Sequence, residues 1–169
     1  MKISIEKCRP DAVIPTYAHD GDAGMDLYAA EDVTVEPGES VIVPTGLKMA
    51  IPYGYEVQIR PRSGISYKTP LRVPNSPGTI DCGYRDEVGV IIYNCSEKVI
   101  YPEGGYASEP LTLDSKGCKH GTYIIRKGDR IAQMVVAKVE YADIETVEDV
   151  STIGKNRGGG FGSTGVTST

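Results

Sequence analysis

The chain has 169 residues, 40% hydrophobic and 24% charged, with a formal net charge of −5 at pH 7. That length suits one domain with a single core, and the composition is that of an ordinary globular protein. The acidic balance argues against a nucleic-acid polymer as partner, because duplex binding needs a basic face, and no apolar run approaches membrane-spanning length.

The opening residues, MKISIEKCRP, carry no apolar stretch of the signal-peptide kind, so a cytoplasmic protein is expected. From there the hydrophobic period is two nearly everywhere. Ile3 and Ile5, Val33 and Val35, Val41 and Val43, then Tyr55, Val57 and Ile59, and finally Val88, Val90 and Ile92 alternate with other residues. Turn signals separate these runs at Pro37-Gly38, Pro52-Tyr53-Gly54, Pro77-Gly78 and Lys127-Gly128. No window of helical length has apolar residues at three-four spacing with caps. The pattern predicts an all-β sandwich or barrel, with a jelly roll as the natural form and helix confined to a turn or two around 63–69.

Residues 95–127 are less regular and read as an extended hairpin or excursion. After Val150 the periodicity stops and Gly, Ser and Thr dominate, which predicts a β domain over 1–150 and a mobile C-terminal arm over 151–169. Cys8, Cys82, Cys95 and Cys118 are widely spaced and nothing suggests secretion, so free thiols are expected. Cys118-Lys119-His120 could be half of a metal site, but zinc usually needs four ligands and the only other histidine is His19. These read as ordinary residues.

Five stretches carry chemistry. In "AGMDLYAA", Asp26 lies in a strand among apolar neighbours and wants a cation or donor, since unpaired burial is costly. "PRSG" at 61–64 follows a strand and reads either as a phosphate corner built on Arg62, Ser63 and Gly64 or as a plain turn. "NSPGTIDCGYRDE" predicts a tight hairpin whose backbone groups could read the polar edge of a base. Within it Asp81 could serve as a general base or merely accept from a turn amide, and Tyr84 could lie against a sugar. "GDRIAQMVV" places Arg130 and Gln133 at the start of a strongly apolar strand, where solvation after a turn would also explain them. "NRGGGFGSTG" at 156–165 reads either as a frayed tail or as a glycine nest for phosphate oxygens. In the second reading Arg157, Ser163 and Thr164 supply donors and Phe161 a stacking face. A P-loop is excluded, because no lysine precedes the Ser-Thr pair and too few residues follow for its helix.

Taken in order, AGMDLYA, PRSGIS, PGTIDCGYRDE, GDRIAQ and RGGGFGSTG closely resemble the five motifs of the homotrimeric dUTPase family, from about residue 20 to residue 165. The resemblance implies hydrolysis of dUTP to dUMP and pyrophosphate with Mg²⁺ on the triphosphate. That reaction keeps uracil out of DNA and supplies dUMP for thymidylate synthesis. By the same resemblance Asp81 looks like the base that activates water, and Asp26 would sit near the metal through water. Arg62, Ser63, Gly64 and Gln133 would hold phosphates. Asn75 and the backbone of Thr79, Ile80 and Asp81 would read uracil, Tyr84 would pack on the deoxyribose, and Gly89 would belong to the substrate side of the third motif. Arg157, Ser163 and Thr164 would grip the γ-phosphate while Phe161 covers the base, and Gly162 would belong to the same substrate-binding motif. The family trait of a homotrimer with shared sites is implied as well.

Two departures stand out: Asp86 occupies a position where the family often has glycine, and the 94–127 segment is longer than the family leads one to expect, an insertion. A dCTP deaminase relative would need a base suited to attack on the cytosine ring, and "TIDCGY" with "RGGGFGSTG" points the other way. A non-catalytic nucleotide-binding or signalling module on the same scaffold is the other alternative, and the intact Asp81 argues against it.

Overall fold

The computed structural model describes residues 1–97 and 109–159, and the chain divides into two units, Met1–Val139 and Glu140–Thr169. In the first unit the strands are β1 (Ser4–Lys7), β2 (Gly24–Tyr28), β3 (Val33–Val35), β4 (Ser40–Pro44), β5 (Leu47–Ala50) and β6 (Tyr55–Arg60). A six-residue helix α1 (Ser63–Lys68) follows, then β7 (Leu71–Arg72), β8 (Gly78–Ile80), β9 (Gly89–Asn94), β10 (Tyr123–Ile125) and β11 (Arg130–Lys138). The all-β, jelly-roll-like expectation holds, and the short helix falls within 63–69.

The strands pair antiparallel throughout. β2-β11-β6-β8 form one sheet, β4-β9-β7 another, and β1-β5 and β10-β3 two smaller ones. Period-two alternation places the inward residues. In β9, Val90, Ile92 and Asn94 are buried while Gly89, Ile91 and Tyr93 are only partly so. Val90 and Ile92 join Leu27, Val35, Val43, Leu47, Val57, Tyr123, Ile131 and Met134 in one continuous core. Gly89 has a packing reason to be glycine: a Cβ there would stand 2.4 Å from Ile42 Cγ2 on the adjacent strand β4.

The expected tight hairpin at 75–87 does not close on itself. Gly78–Ile80 pairs with Val57–Ile59 of β6, whereas β9 runs in the other sheet between β4 and β7. Gly78 of the Pro77-Gly78 signal is itself the first residue of β8, with the turn just before it at Pro74-Asn75, and which strand becomes the partner is set by the sheet.

Around the irregular 94–127 segment, Asn94 is fully buried and donates Nδ2–H to Val35 O at 3.0 Å and to Gly121 O at 2.9 Å. Its Oδ1 accepts from Ser96 N–H, and Ser96 Oγ accepts from Gly121 N–H. One buried amide, fully satisfied, thus ties the start of the excursion to its return. In the second unit, Asp149 caps a 3₁₀ turn at Val150–Thr152 by accepting from Ser151 N–H, and Asn156 Oδ1 accepts from Gly158 N–H. Among the described residues no helix is long and apolar enough to cross a membrane.

Candidate active site

Three of the sequence stretches meet at Asp26. Strand register sets Gln133 of β11 opposite Asp26 of β2 on one side and opposite Arg60 of β6 on the other. Arg62 is the residue just before α1, with extended backbone, and its Nε–H donates to Asp26 Oδ1 at 2.9 Å. Arg130 Nη1 lies 3.6 Å from Asp26 Oδ2, and Gln133 Nε2 lies 3.5 Å from Oδ1. The Asp26 side chain is only 13% exposed. A carboxylate so placed requires compensating donors, and it has two arginines for them.

A β-bulge makes this convergence possible. The β11–β2 register shifts between Arg130 and Ala132, and Ile131 and Ala132 are both buried. Simple alternation would set Arg130 and Gln133 on opposite faces. The extra residue puts both on the side of Asp26.

Ser63 and Gly64, the first helical residues after Arg62, are exposed. A Cβ on Gly64 would meet nothing within 4 Å, and its backbone is not left-handed. Neither packing nor conformation within the chain demands glycine there, and the open backbone leaves room for a ligand to approach closely.

The third stretch is arranged around β8. Gly78 is buried, and a Cβ on it would stand 3.0 Å from Asn75 Nδ2 and 3.5 Å from Ile59 Cβ. Asn75 is therefore laid over the start of the Gly78–Ile80 strand. Past the strand, Tyr84 N–H donates to Asp81 O at 3.1 Å, closing a turn, and Arg85 Nη1 donates to Cys82 O and Tyr84 O. Asp81 is exposed, and its side chain enters none of the ion pairs among the described residues. The Tyr84 hydroxyl donates to Glu87 O at 3.0 Å.

Glu87 was not singled out from the sequence. Its Oε1 accepts from Gly46 N–H at 2.7 Å and from Arg9 Nε–H at 2.8 Å, and Arg9 also binds Glu31 at 2.6 Å. The hydrogen bonds it donates to Glu87, and then to Glu31, hold the Arg9 guanidinium above its ordinary, already high pKa. Nothing in the local sequence signals this pairing, since Arg9 and Glu87 are 78 residues apart.

Within one chain the two groups of residues stay apart. β2, bearing Asp26, and β8, leading to Asp81, are the opposite edges of the four-stranded sheet, a separation of three strand spacings, or about 14 Å. Arg157 is described and exposed, next to Gly158 and Gly159 at positive φ. Phe161, Gly162, Ser163 and Thr164 lie outside the described residues. Among the described residues no group of three or more His, Cys, Asp or Glu could hold a metal ion, and the charged neighbours of Asp26 are Arg62 and Arg130.

The dUTPase family profile matches residues 11–105 and 118–165, leaving 106–117 of the long excursion unmatched. A deoxyuridine 5'-triphosphate nucleotidohydrolase of Solibacter usitatus is 44% identical over 98% of this chain and 97% of its own. One of a Picosynechococcus strain is 42% identical over 98% and 99%. Among solved structures, a variant of the Staphylococcus bacteriophage 80alpha dUTPase with dUpNHpp superposes with a TM-score of 0.84 at 31% identity, covering 98% of this chain and 99% of that one. A variant dUTPase of the S. aureus phage phi11, described with a structural Mg(II) ion, gives 0.76 at 30% identity, covering 90% and 100%.

Proposed function

Because the chain belongs to the dUTPase family, we propose that it hydrolyses dUTP to dUMP and pyrophosphate, with Asp81 as the base. The observation that carries this reading is the corner at Asp26. There Arg62, Arg130 and Gln133, from two other stretches, gather around the Asp26 carboxylate, and the open backbone of Gly64 follows two residues after Arg62. Fixed, planar cations are suited to phosphate oxygens, and positions held before substrate arrives cost no reorganisation during reaction. Arg62, Ser63, Gly64 and Gln133 hold the phosphates there.

The phosphates repel an anionic nucleophile, so water must lose its proton in place. Asp81, exposed and not ion-paired among the described residues, takes that proton. The water oxygen bonds to the α-phosphorus, the bridging α–β P–O bond breaks, and pyrophosphate leaves opposite the attacking oxygen. Asn75 and the backbone of Thr79, Ile80 and Asp81 read the uracil edge, and Tyr84 lies against the deoxyribose with no room for a 2′-hydroxyl. Gly89 supports this region indirectly, through the close packing of β9 on β4.

The described residues fit a metal carried on the nucleotide, because Mg²⁺ is commonly held by one or two carboxylates plus substrate phosphates, and Asp26 is the carboxylate at the phosphate corner. Mg²⁺ bound to the triphosphate would neutralise charge where it builds up. Asp26 itself orients Arg62 and Arg130.

A general base works at about 2.6–3.2 Å or through one water. Strands β2 and β8 stand about 14 Å apart across the sheet, a separation that makes it hard for Asp81 and the Asp26 corner of one chain to reach one α-phosphorus. A homotrimer with shared sites resolves this: one subunit supplies the Asp81 loop, another the phosphate corner, and the 151–169 arm with Arg157, Phe161, Gly162, Ser163 and Thr164 closes over the nucleotide. Closure of such a glycine-rich arm excludes water from the reaction.

Incubation with each deoxynucleoside triphosphate, and with UTP, in the presence of Mg²⁺ tests the reading by pyrophosphate release. Release from dUTP alone is expected. Deamination of dCTP would point to the deaminase relative, and tight binding without turnover to a non-catalytic module.

A further inference from the structure

Glu87 stands between the core and the two residues of the 81–88 loop to which chemistry is assigned. On the core side, Val88 is fully buried, donates N–H to Leu47 O at 2.8 Å, and accepts at its carbonyl from Thr45 Oγ1 at 2.6 Å. On the loop side, the Glu87 carbonyl accepts the Tyr84 hydroxyl at 3.0 Å, and Tyr84 N–H donates to Asp81 O at 3.1 Å. The Glu87 carboxylate fixes the peptide between them. It accepts from Gly46 N–H at 2.7 Å and from Arg9 through Nε at 2.8 Å and Nη2 at 3.3 Å. A fork of this kind restricts orientation as well as distance.

We propose that Glu87, clamped by Arg9 and the Gly46 amide, is a positioning residue for substrate selection: it holds the carbonyl on which the Tyr84 hydroxyl rests, and so sets how closely the Tyr84 ring approaches the sugar 2′ position. The proposal rests on the dUTPase reading for its substrate. It goes beyond that reading by tying sugar discrimination to an ion pair between the N-terminal segment and the 81–88 loop.

The test compares kcat/KM for dUTP and UTP in wild type, Glu87→Ala, Glu87→Gln and Tyr84→Phe, with thermal midpoints measured alongside. Glu87→Ala should lower the dUTP/UTP ratio by roughly tenfold, the scale of a lost charge-assisted anchor. Glu87→Gln, which still accepts from Gly46 N–H, should recover part of the ratio. Tyr84→Phe added to Glu87→Ala should lower it little further, because both act through one contact. A Glu87→Ala enzyme with the wild-type ratio overturns the proposal, as does full additivity of the two changes. If Glu87→Ala does not fold, Arg9→Gln, which spares the Gly46 contact, carries the same expectation at smaller size, and an unchanged ratio there is equally decisive. A wild-type enzyme without preference for dUTP over UTP would defeat the functional reading itself, a result distinct from an unchanged ratio in the variants.

Discussion

Arg62 and Asp26, separated by 36 residues, are joined by a 2.9 Å hydrogen bond from the guanidinium Nε to Oδ1. Asp26→Asn keeps the shape of the side chain but removes the charge that orients Arg62 and Arg130. A hydrogen bond to a charged group contributes about 1.5–3 kcal/mol, which corresponds to a loss of roughly 10- to 150-fold in kcat/KM for dUTP. Steady-state kinetics check it, and an Asp26→Asn enzyme within twofold of wild type would contradict the phosphate corner.

Asp81→Asn should bind dUTP nearly as well as wild type and lose turnover by about 10²–10⁴-fold, since an amide cannot accept the proton. Calorimetric binding beside single-turnover rates separates the two effects. Substantial activity in a pure, folded preparation would sink the assignment.

Gly78→Ala puts a methyl group 3.0 Å from Asn75 Nδ2. Asn75 is exposed and can move, so the fold should survive while the uracil contact loosens. The expected result is a raised KM for dUTP with kcat little changed and a nearly constant thermal midpoint. An unaltered KM would show that Asn75 does not read the base.

Removing residues 151–169 should leave a folded trimer with little activity, because a glycine-rich terminal arm adds little packing of its own. Co-refolding such truncated chains with Asp81→Asn chains should restore activity in mixed trimers, since some sites then combine an intact Asp81 with an intact arm. Proven mixed trimers as inactive as both parents would refute sharing between subunits.

Acid should weaken the fold partly through Asp32. The Lys127 N–H at 2.8 Å, and then the Arg126 guanidinium at 2.9 Å, hold its carboxyl below the ordinary pKa. A lowered folded value means the contribution is present above the unfolded pKa of about 3.9 and is lost as pH falls through the folded value. Asp129 acts in the opposite sense, because burial raises its pKa, so its contribution is lost as pH rises through that raised value. Asp32→Asn should therefore show a shallower fall of thermal midpoint below about pH 4 than wild type. Identical acid limbs would count against the Asp32 contact as the source.

Much of the fold is legible locally. Alternation at Val88, Val90 and Ile92 places those side chains inward, and Pro37-Gly38, Tyr53-Gly54 and Lys127-Gly128 fall in turns between strands, because both depend on residues within a few positions of each other. The candidate residues are legible only as an ordered set of motifs resembling one family, since each short run taken alone leaves a plain structural reading open. The tight hairpin is not legible in this way, because a turn is a local property and the strand partner is not: β8 pairs with β6.

What the sequence by itself determined is the all-β class, the short helix after Arg62, and the membership of Asp81, Arg62 and Gln133 in short chemical motifs. Only the tertiary structure decided which of them meet. The bulge between Arg130 and Ala132 turns both Arg130 and Gln133 toward Asp26, against simple alternation. Sheet order sets Asp26 and Asp81 on opposite edges, and Arg9 reaches Glu87 across 78 residues. Local periodicity specifies only the face on which a side chain lies. Register, sheet order and the bulge are settled by how whole strands pack to bury their apolar faces together, and these bring distant charges within 3 Å or hold them apart.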